Sequence, residues 1–459
     1  MVTMRGNLQC EVCGAKTLIR IQVGWLDMHP IRFNCGKCGI LITGTMYQDQ
    51  LNVNAHTEFD NVKKVPDKGD SDFHIEVSGE LLTEKLQPYK FKNTLFPPFF
   101  TSGIWMMDEG MGEFKERTLR FLSIIKNDWP KYRRVNELWF NGNYQYLRKD
   151  LKKQISNKQF PLNNELQYLI AIRQTNIRLL SSILSENFFE KQIKFIGEEV
   201  SDLKKNKDKE FLTLIEYFST SIHRNEEKIF ECIKQFIEKF RFMIPVFGIE
   251  FYKNGSQTEL YEKGITTVSF EELKQFYVDV YEVITEMLEL IVAYNNLKYR
   301  GNFQLMKEKR KDVVTLDDYK KKNKGAKLEF VDGNEEYDNI VYPYLNNKLR
   351  NAIGHNTYKM DIQSQQITYF PKGTEDNEDH PVISLKDFTR SCWDIFQSLM
   401  NLSELVYQTR KVYYLNQDLK PAVEHIYEEK APSKKKKKKQ NSKRNSEKQK
   451  RESRKKNRK

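Results

Sequence analysis

Long apolar runs are missing from this 459-residue sequence, which has no stretch near the roughly 18 uncharged apolar residues that a membrane-spanning helix requires. Its first residues also lack the apolar core of a secretory signal peptide. Cysteine is scarce, with six in the chain, and their spacing is not that of a secreted disulfide framework. These absences predict a soluble protein with no membrane partner, and we expect it in the cytoplasm.

Excess charge is missing from most of the chain, although the whole protein carries a formal charge of +13. Sixteen Lys and Arg against two acidic residues lie between Lys434 and Lys459, which leaves a net charge of −1 for the rest. This low-complexity tail cannot bury enough apolar surface to fold by itself. We expect a disordered Lys/Arg-rich tail over residues 431–459 that either contacts polyanions without sequence preference or only keeps the protein soluble.

Apolar residues are nevertheless sufficient for several cores, since they make up 39% of the chain and include 29 Phe and 23 Tyr. Short alternating runs between Gly, Asp and Asn predict a β-rich region over residues 1–105. Apolar residues that recur every three or four positions predict a helical middle region over residues 106–265 and a further domain over residues 266–430. The predicted fold class is therefore mainly α.

The domain over residues 266–430 is predicted to combine helices with a small β-hairpin. Its elements are expected to be a long amphipathic helix over residues 270–299, a Lys-rich linker over 307–327, a second helix over 335–354 that is kinked or restarted at Pro343, a hairpin over 358–370 and a last long helix over 385–414.

Four of the cysteines form two Cys-x-x-Cys pairs, Cys10 with Cys13 and Cys35 with Cys38, separated by 21 residues. This spacing is typical of a zinc ribbon, in which each pair forms a tight turn that directs two thiolates at one ion. Four thiolates leave no open position for water, so we expect Zn²⁺ to be structural and not catalytic. A contact of the ribbon with nucleic acid or protein stays open.

Other residues near the pairs, and the two remaining cysteines, receive simpler interpretations. Gly36 and Gly39 are expected to supply the positive φ that tight turns often need. His29, between the pairs, is interpreted as a surface residue. Cys232 and Cys392 stand alone in apolar helical patterns and are interpreted as buried thiols, not nucleophiles.

A second group of reactive side chains lies near the end of the predicted second helix, in the segment from Arg350 to His355. The guanidinium of Arg is permanently charged and its N–H groups match the spacing of phosphate oxygens, and His exchanges protons near neutral pH. On a continuous helix the two side chains would lie about 140° apart. We therefore expect Gly354 to end the helix in a left-handed turn that brings His355 back towards Arg350, where Asn351 can hold the imidazole. The alternative is an ordinary pair of cations at a helix C-terminus.

The stretch Arg350-Asn351-Ala352-Ile353-Gly354-His355 resembles the signature of the HEPN superfamily, which is Arg, usually a polar residue, a few more residues and then His at a helix end in a helical bundle. The resemblance covers about residues 268–420. It implies a metal-independent RNA endonuclease in which the ribose 2′-hydroxyl attacks the adjacent phosphate. It further implies that His355 transfers protons, that Arg350 stabilises the phosphate with Asn351 beside it, and that a homodimer brings two motifs together.

Alternatives to this interpretation stay open. HEPN-like architectures occur in bacterial toxins and anti-phage abortive-infection proteins, so analogy implies a growth-arresting role. The main alternative is a catalytically silent HEPN-like domain in an RNA-binding or assembly protein, and a DNA-associated regulator is a third. Some HEPN proteins have Tyr two positions after the His, whereas here Thr357 stands there and Tyr358 follows, so the role of Tyr358 is open.

Several polar residues outside the motif are possible contributors to the same site. Four carboxylates on the first long helix could orient the motif arginine, but such residues are more often solvated and none is assigned; they are Asp279, Glu282, Glu286 and Glu289. His223, on a middle helix with acidic neighbours, is interpreted as a surface residue.

Overall fold

A computed structural model shows a mainly helical protein with a β-rich N-terminal region, which confirms the predicted fold class at that level. The structure describes residues 2–48, 55–67, 69–90, 97–155, 161–184, 189–253, 257–331, 335–341, 344–373 and 380–421. The predicted basic tail over residues 431–459 lies outside these ranges. Among the helices of the described ranges, none combines the length and apolar character needed to cross a bilayer.

The N-terminal region contains two sheets in its described residues. Their strands are β1 (Val2–Cys10), β2 (Lys16–Val23), β3 (Met28–Asn34), β4 (Leu41–Gln48), β5 (Ala55–Asp60), β6 (Val62–Val65), β7 (Phe73–Ser78) and β8 (Gln87–Pro88). One sheet has the order β6-β1-β2-β7-β8, with β2 and β7 parallel, and the other has the order β3-β4-β5. Ile42 and Met46 of β4 are buried while Thr43 and Thr45 are half-buried, as expected for a strand with one face on a core.

His29 lies in the interior of this region, which corrects its interpretation as a surface residue. Its side chain is fully buried, and its Nε2 lies 3.1 Å from the carbonyl oxygen of Leu26. The consecutive residues His29, Pro30 and Ile31 are all buried, because β3 is covered on both faces at this point. Burial lowers the pKa of His29 from 6.5 to about 4, so its imidazole is neutral at neutral pH.

The middle of the chain is helical. Its helices are α1 (Pro98–Asn127), α2 (Trp129–Phe140), α3 (Tyr144–Gln154), α4 (Glu165–Leu180), α5 (Lys191–Asn206), α6 (Asp208–Phe247) and α7 (Gln257–Glu262). Helix α1 is kinked at Met107, whose φ is +54°. The apolar side of α6 is buried along almost its whole length, as its three- and four-residue apolar spacing predicts.

The C-terminal part confirms the first predicted helix, the hairpin and the last helix. Its elements are α8 (Phe270–Arg300), α9 (Leu316–Lys320), α10 (Lys324–Val331), α11 (Asn347–Gly354), β9 (Tyr358–Asp361), β10 (Gln366–Tyr369), β11 (Val382–Ser384) and α12 (Leu385–Asn416). Strands β9, β10 and β11 form an antiparallel sheet with β10 in the centre. Helix α8 starts at a capping box made by Ser269 and Glu272.

The segment predicted as a helix that is kinked or restarted at Pro343 contains two separate elements, a short 3₁₀ helix (Glu335–Ile340) and α11, which agrees with a restart and not with a kink. Helix α11 has its own N-cap, where the Asn346 side chain accepts a hydrogen bond from the Leu349 amide at 3.0 Å. Pro343, the expected position of the break, lies outside the described residues.

The prediction of a linker over residues 307–327 is also wrong. This Lys-rich segment packs against α8 through Val313, Leu316 and Tyr319, which are all buried. Helix α9 within it starts at a capping box made by Thr315 and Asp318. Three apolar side chains at intervals of three are enough to anchor a segment that is otherwise charged.

One hydrophobic core joins α6, α8 and α12 and extends to Trp25 in the N-terminal region. At its centre the rings of Phe236 and Phe396 stack with their centroids 3.7 Å apart. Trp393 lies against Phe236 and Phe247, and its side chain is 1% exposed. The long helices therefore form a rigid base for the short helix α11 and the hairpin that follows it.

We expect the buried imidazole of His29 to make stability depend on pH. In the unfolded chain this group has its ordinary pKa, so as the pH falls the unfolded state binds the proton first, and stability is lost between pH 6.5 and about 4. His29→Gln keeps an N–H donor for the Leu26 carbonyl but cannot titrate. Urea unfolding should show the wild type losing about 3 kcal/mol relative to His29→Gln between pH 7 and pH 4. Equal pH dependence of the two proteins would contradict this assignment.

Candidate functional site

The two Cys-x-x-Cys pairs lie in the turns of two neighbouring hairpins, β1–β2 and β3–β4. The first turn is closed by hydrogen bonds from the Cys10 amide to the Ala15 carbonyl and from the Gly14 amide to the Cys10 carbonyl, at 2.9 and 3.0 Å. The second turn repeats both bonds, from the Cys35 amide to the Ile40 carbonyl and from the Gly39 amide to the Cys35 carbonyl, each at 2.9 Å. The two turns thus have the same backbone pattern.

Glycine has a different role at each position in these turns. Gly14 and Gly39 occupy equivalent positions and have φ values of +72° and +78°, which confirms the expectation for Gly39. Gly36 does not have a positive φ; a Cβ there would lie 2.5 Å from the Phe73 ring, so glycine is needed for close approach. Gly14 was not singled out from the sequence, although both pairs share the pattern Cys-x-x-Cys-Gly.

The four thiols converge on one point. The Sγ atoms of Cys10 and Cys38 are 3.7 Å apart, those of Cys13 and Cys35 are 3.5 Å apart, and all four lie within 4.8 Å of one another. Sulfur ligands about 2.3 Å from a tetrahedral Zn²⁺ would be about 3.8 Å apart, so these residues can hold a metal ion. The hydrogen bond from the Ala15 backbone lowers the pKa of the Cys13 thiol to about 7, whereas burial raises the pKa of the Cys35 thiol to about 12.

Arg350 is held by a carboxylate on a different helix. Its Nε donates to Glu282 Oε1 on α8 at 2.6 Å, and its Nη2 pairs with the same carboxylate. Its Nη1 donates to Asn351 Oδ1 at 3.1 Å. A guanidinium has five N–H donors, so these contacts leave two available in a side chain that is 26% exposed. Glu282 was one of four carboxylates that the sequence could not rank.

Glu282 also pairs with Lys324 of α10, so one carboxylate lies between two cations. Burial and the nearby charge of Arg350 lower the pKa of Lys324. The group formed by Glu282, Arg350 and Lys324 carries a net positive charge when all three are ionised. Such a group attracts an anion while its own carboxylate fixes the position of the arginine.

His355 follows α11 directly and is exposed. Within the described ranges its imidazole has no hydrogen-bond or ion-pair partner. The expected left-handed turn at Gly354 is wrong, because Gly354 is the last helical residue and the positive φ falls at Asn356, where it is +54°. The Asn356 and Thr357 amides donate to the Ile353 and Ala352 carbonyls at 3.1 and 2.8 Å, which is a Schellman end.

Arg350 lies in the last turns of α11, and His355 is the C-cap residue of the same helix. The Arg350 guanidinium extends along the helix as far as Gly354, where a Cβ would lie 3.9 Å from Nη1, an ordinary contact distance. Asn351 hydrogen-bonds to this guanidinium, so the expected contact of Asn351 with the imidazole is not observed. The imidazole of His355 is therefore exposed to solvent at the same helix end as the fixed guanidinium.

Tyr358 anchors strand β9, which follows the site, to helix α8. Its hydroxyl donates to Glu271 Oε1 at 2.8 Å and accepts from Lys274 Nζ at 2.9 Å, both on the first turns of α8. The turn after β9 then contacts the second cysteine turn, because Gln363 Nε2 donates to the Gly36 carbonyl at 2.9 Å. The hairpin thus connects the end of α11 to the cysteine cluster.

The other possible functional residues of the sequence lie outside these clusters. Cys232 and Cys392 are buried, as predicted, and burial raises the pKa of the Cys232 thiol to about 12. His223 is only half exposed, because its ring contacts Arg410 and the Phe140 carbonyl at 3.3 Å each. The other three carboxylates on α8 have partners of their own: Gln235 and Gln275 for Asp279, Lys228 for Glu286, and Lys320 for Glu289.

Comparison with protein-family models, with curated proteins and with solved structures finds no match to this chain. Two clusters of reactive side chains are therefore the candidates for function, namely the four thiols and the group at the end of α11.

We expect Cys35→Ser to remove most of the bound metal and to loosen the hairpin. The substitution deletes one ligand, and the Gly36 carbonyl that Gln363 contacts belongs to the same turn. Metal analysis should fall from about one ion per chain to well below it, and amide hydrogen exchange over residues 358–369 should become faster. Cys232→Ser, a change outside the cluster, serves as the control. An unchanged metal content would contradict the assignment of the cluster.

Proposed function

We propose that the protein is a metal-independent RNA endonuclease of HEPN type and that Arg350, Asn351 and His355 form its site. The observation that carries the proposal is that a fixed guanidinium and an exposed imidazole stand at one helix end. Glu282 and Asn351 hold the guanidinium, and the imidazole has no partner in the described part of the chain. An ordinary solvated pair of cations would need neither the interhelical carboxylate nor the amide contact.

The reaction that suits this group is transesterification within RNA. The 2′-oxygen attacks the adjacent phosphorus, so a P–O2′ bond forms, the P–O5′ bond breaks, and the products are a cyclic 2′,3′-phosphate and a 5′-hydroxyl. One proton leaves the 2′-oxygen and one reaches the departing 5′-oxygen. His355 transfers a proton, and the free N–H donors of Arg350 stabilise the charge on the phosphate oxygens.

A homodimer is part of the proposal. One imidazole cannot readily remove a proton and deliver another at opposite sides of the same phosphorus atom within one step. Two copies of the segment 350–355 that face one cleft would supply both groups. The exposed position of His355 at the end of α11 leaves it accessible to a second chain.

Zn²⁺ is the ion that we propose for the four thiols. Four sulfur donors at near-tetrahedral spacing suit Zn²⁺, and a complete set of four leaves no position for a reacting water. The ion would stabilise the two hairpin turns, and no catalytic step passes through it. In the cell, we propose a growth-arresting toxin or anti-phage role for the nuclease in the cytoplasm.

We expect His355→Ala to reduce RNA cleavage by a factor of about 10² to 10⁴, the usual contribution of a proton-transfer residue. Purified wild-type and variant proteins would be incubated with total RNA in the presence of a chelator, and each would be expressed in cells to measure growth. His56→Ala, which changes a histidine on the exposed strand β5, is the matched control and should cleave normally. If the wild type neither cleaves RNA nor slows growth, the silent RNA-binding or assembly function replaces this one.

Glu282→Gln should slow cleavage by a factor of about 10 to 100, because the variant no longer fixes the guanidinium by charge. The matched control is Glu286→Gln, one helical turn further along α8, which removes a pair with Lys228 instead. Initial cleavage rates at saturating RNA would be compared, together with thermal unfolding to show that both variants fold. Equal rates for the two variants would show that Glu282 does not position Arg350.

A further inference from the structure

A wide polar cleft lies between α1, α2, α3 and α4, with a volume of about 830 Å³. Five cations line it, namely Arg120, Lys131, Arg134, Lys153 and Arg178. Two carboxylates, Asp128 and Asp150, also line it. An excess of three positive charges is notable in a chain whose net charge before the terminal tail is −1.

Three of these cations are already paired with the carboxylates of the cleft. Lys131 contacts Asp128 at 2.7 Å, Lys153 contacts Asp150 at 3.2 Å, and Arg134 also pairs with Asp150. The pair of Arg134 with Asp150 joins two walls of the cleft, because Asp150 lies on α3 and Arg134 on α2, whereas the two lysine pairs are local.

Arg120 on α1 and Arg178 on α4 supply two of the three excess charges, and the third remains because Asp150 pairs with two cations. Both side chains are exposed, and within the described residues neither has a hydrogen bond or an ion pair. They come from two different helices and line the same cleft. A planar guanidinium without a carboxylate partner is suited to bind phosphate through two hydrogen bonds.

The lining of the cleft favours a polyanion over an apolar small molecule. Pockets for small ligands are mostly apolar, whereas most side chains that line this cleft are charged or polar. Hydroxyl and amide groups of Ser123, Gln154 and Gln174 add further donors. Among the described residues of the lining the one aromatic ring is that of Tyr132, which is only 8% exposed and offers no surface on which bases could stack.

We propose that this cleft binds the phosphate backbone of an RNA strand, without reading its bases, through Arg120 and Arg178. The choice of RNA rests on the proposed function, whereas the phosphate chemistry rests on the cleft alone. Binding of this kind releases counterions from the RNA and weakens as salt rises. The cleft would give the RNA substrate a second contact with the folded part of the protein, in addition to the contacts made at Arg350 and His355.

The test uses the full-length protein with His355→Ala, so that binding is measured without cleavage. Arg120→Gln and Arg178→Gln are introduced together, and the affinity for a fluorescent single-stranded RNA is measured by anisotropy from 50 to 200 mM salt. We expect about tenfold weaker binding and a slope of log affinity against log salt that is smaller by about 1.4, for two lost phosphate contacts.

The matched control removes two exposed arginines outside the cleft, Arg5 and Arg133, in the same background. Its affinity should stay within twofold of the parent, and thermal unfolding should show that both double variants fold. Equal affinities of the two double variants would overturn the proposal, and so would a loss of affinity confined to DNA of the same sequence. A loss of RNA affinity in the cleft variant but not in the control variant would support the cleft as a binding site, even if the wild-type protein fails to cleave RNA.

Discussion

The ion pair between Glu282 on α8 and Arg350 on α11 is the interaction on which the candidate site depends. Helix α11 has eight residues, which is too short to be stable by itself in water. Leu349, Ala352 and Ile353 bury one side of it, and the ion pair fixes the other side to α8. Without Glu282, the cations Arg350 and Lys324 would face each other with no carboxylate between them. The position of the guanidinium therefore depends on a residue 68 positions earlier in the chain.

The cysteine cluster and the end of α11 are linked by one short piece of chain. The Schellman end at Asn356 turns the backbone into β9, and the turn after β9 reaches the Gly36 carbonyl in the second cysteine turn. Tyr358, in between, is anchored to the first turns of α8. A structural ion in the cluster would thus stabilise the hairpin that leads away from His355.

Sequence patterns predicted those elements whose spacing repeats. The cysteine pairs, the long helices α8 and α12 and the β9–β10 hairpin follow from local periodicity or from fixed spacing. Glu282 could not be selected from four carboxylates on one helix, because its role depends on where α10 and α11 pack. The sequence does not show that His29 is interior, because that depends on β3 being buried on both faces. The Lys-rich segment over 307–327 has the composition of a linker, but three apolar side chains anchor it to the core.

In the proposed reaction the 2′-hydroxyl of RNA is the nucleophile at the group formed by Arg350 and His355. The decisive experiment maps one cleavage position in a short RNA, replaces the 2′-hydroxyl of the nucleotide on its 5′ side with hydrogen, and repeats the digestion in chelator. The proposed reaction gives a cyclic 2′,3′-phosphate end in the unmodified RNA and no cut at the modified position. A cut that persists there would contradict it.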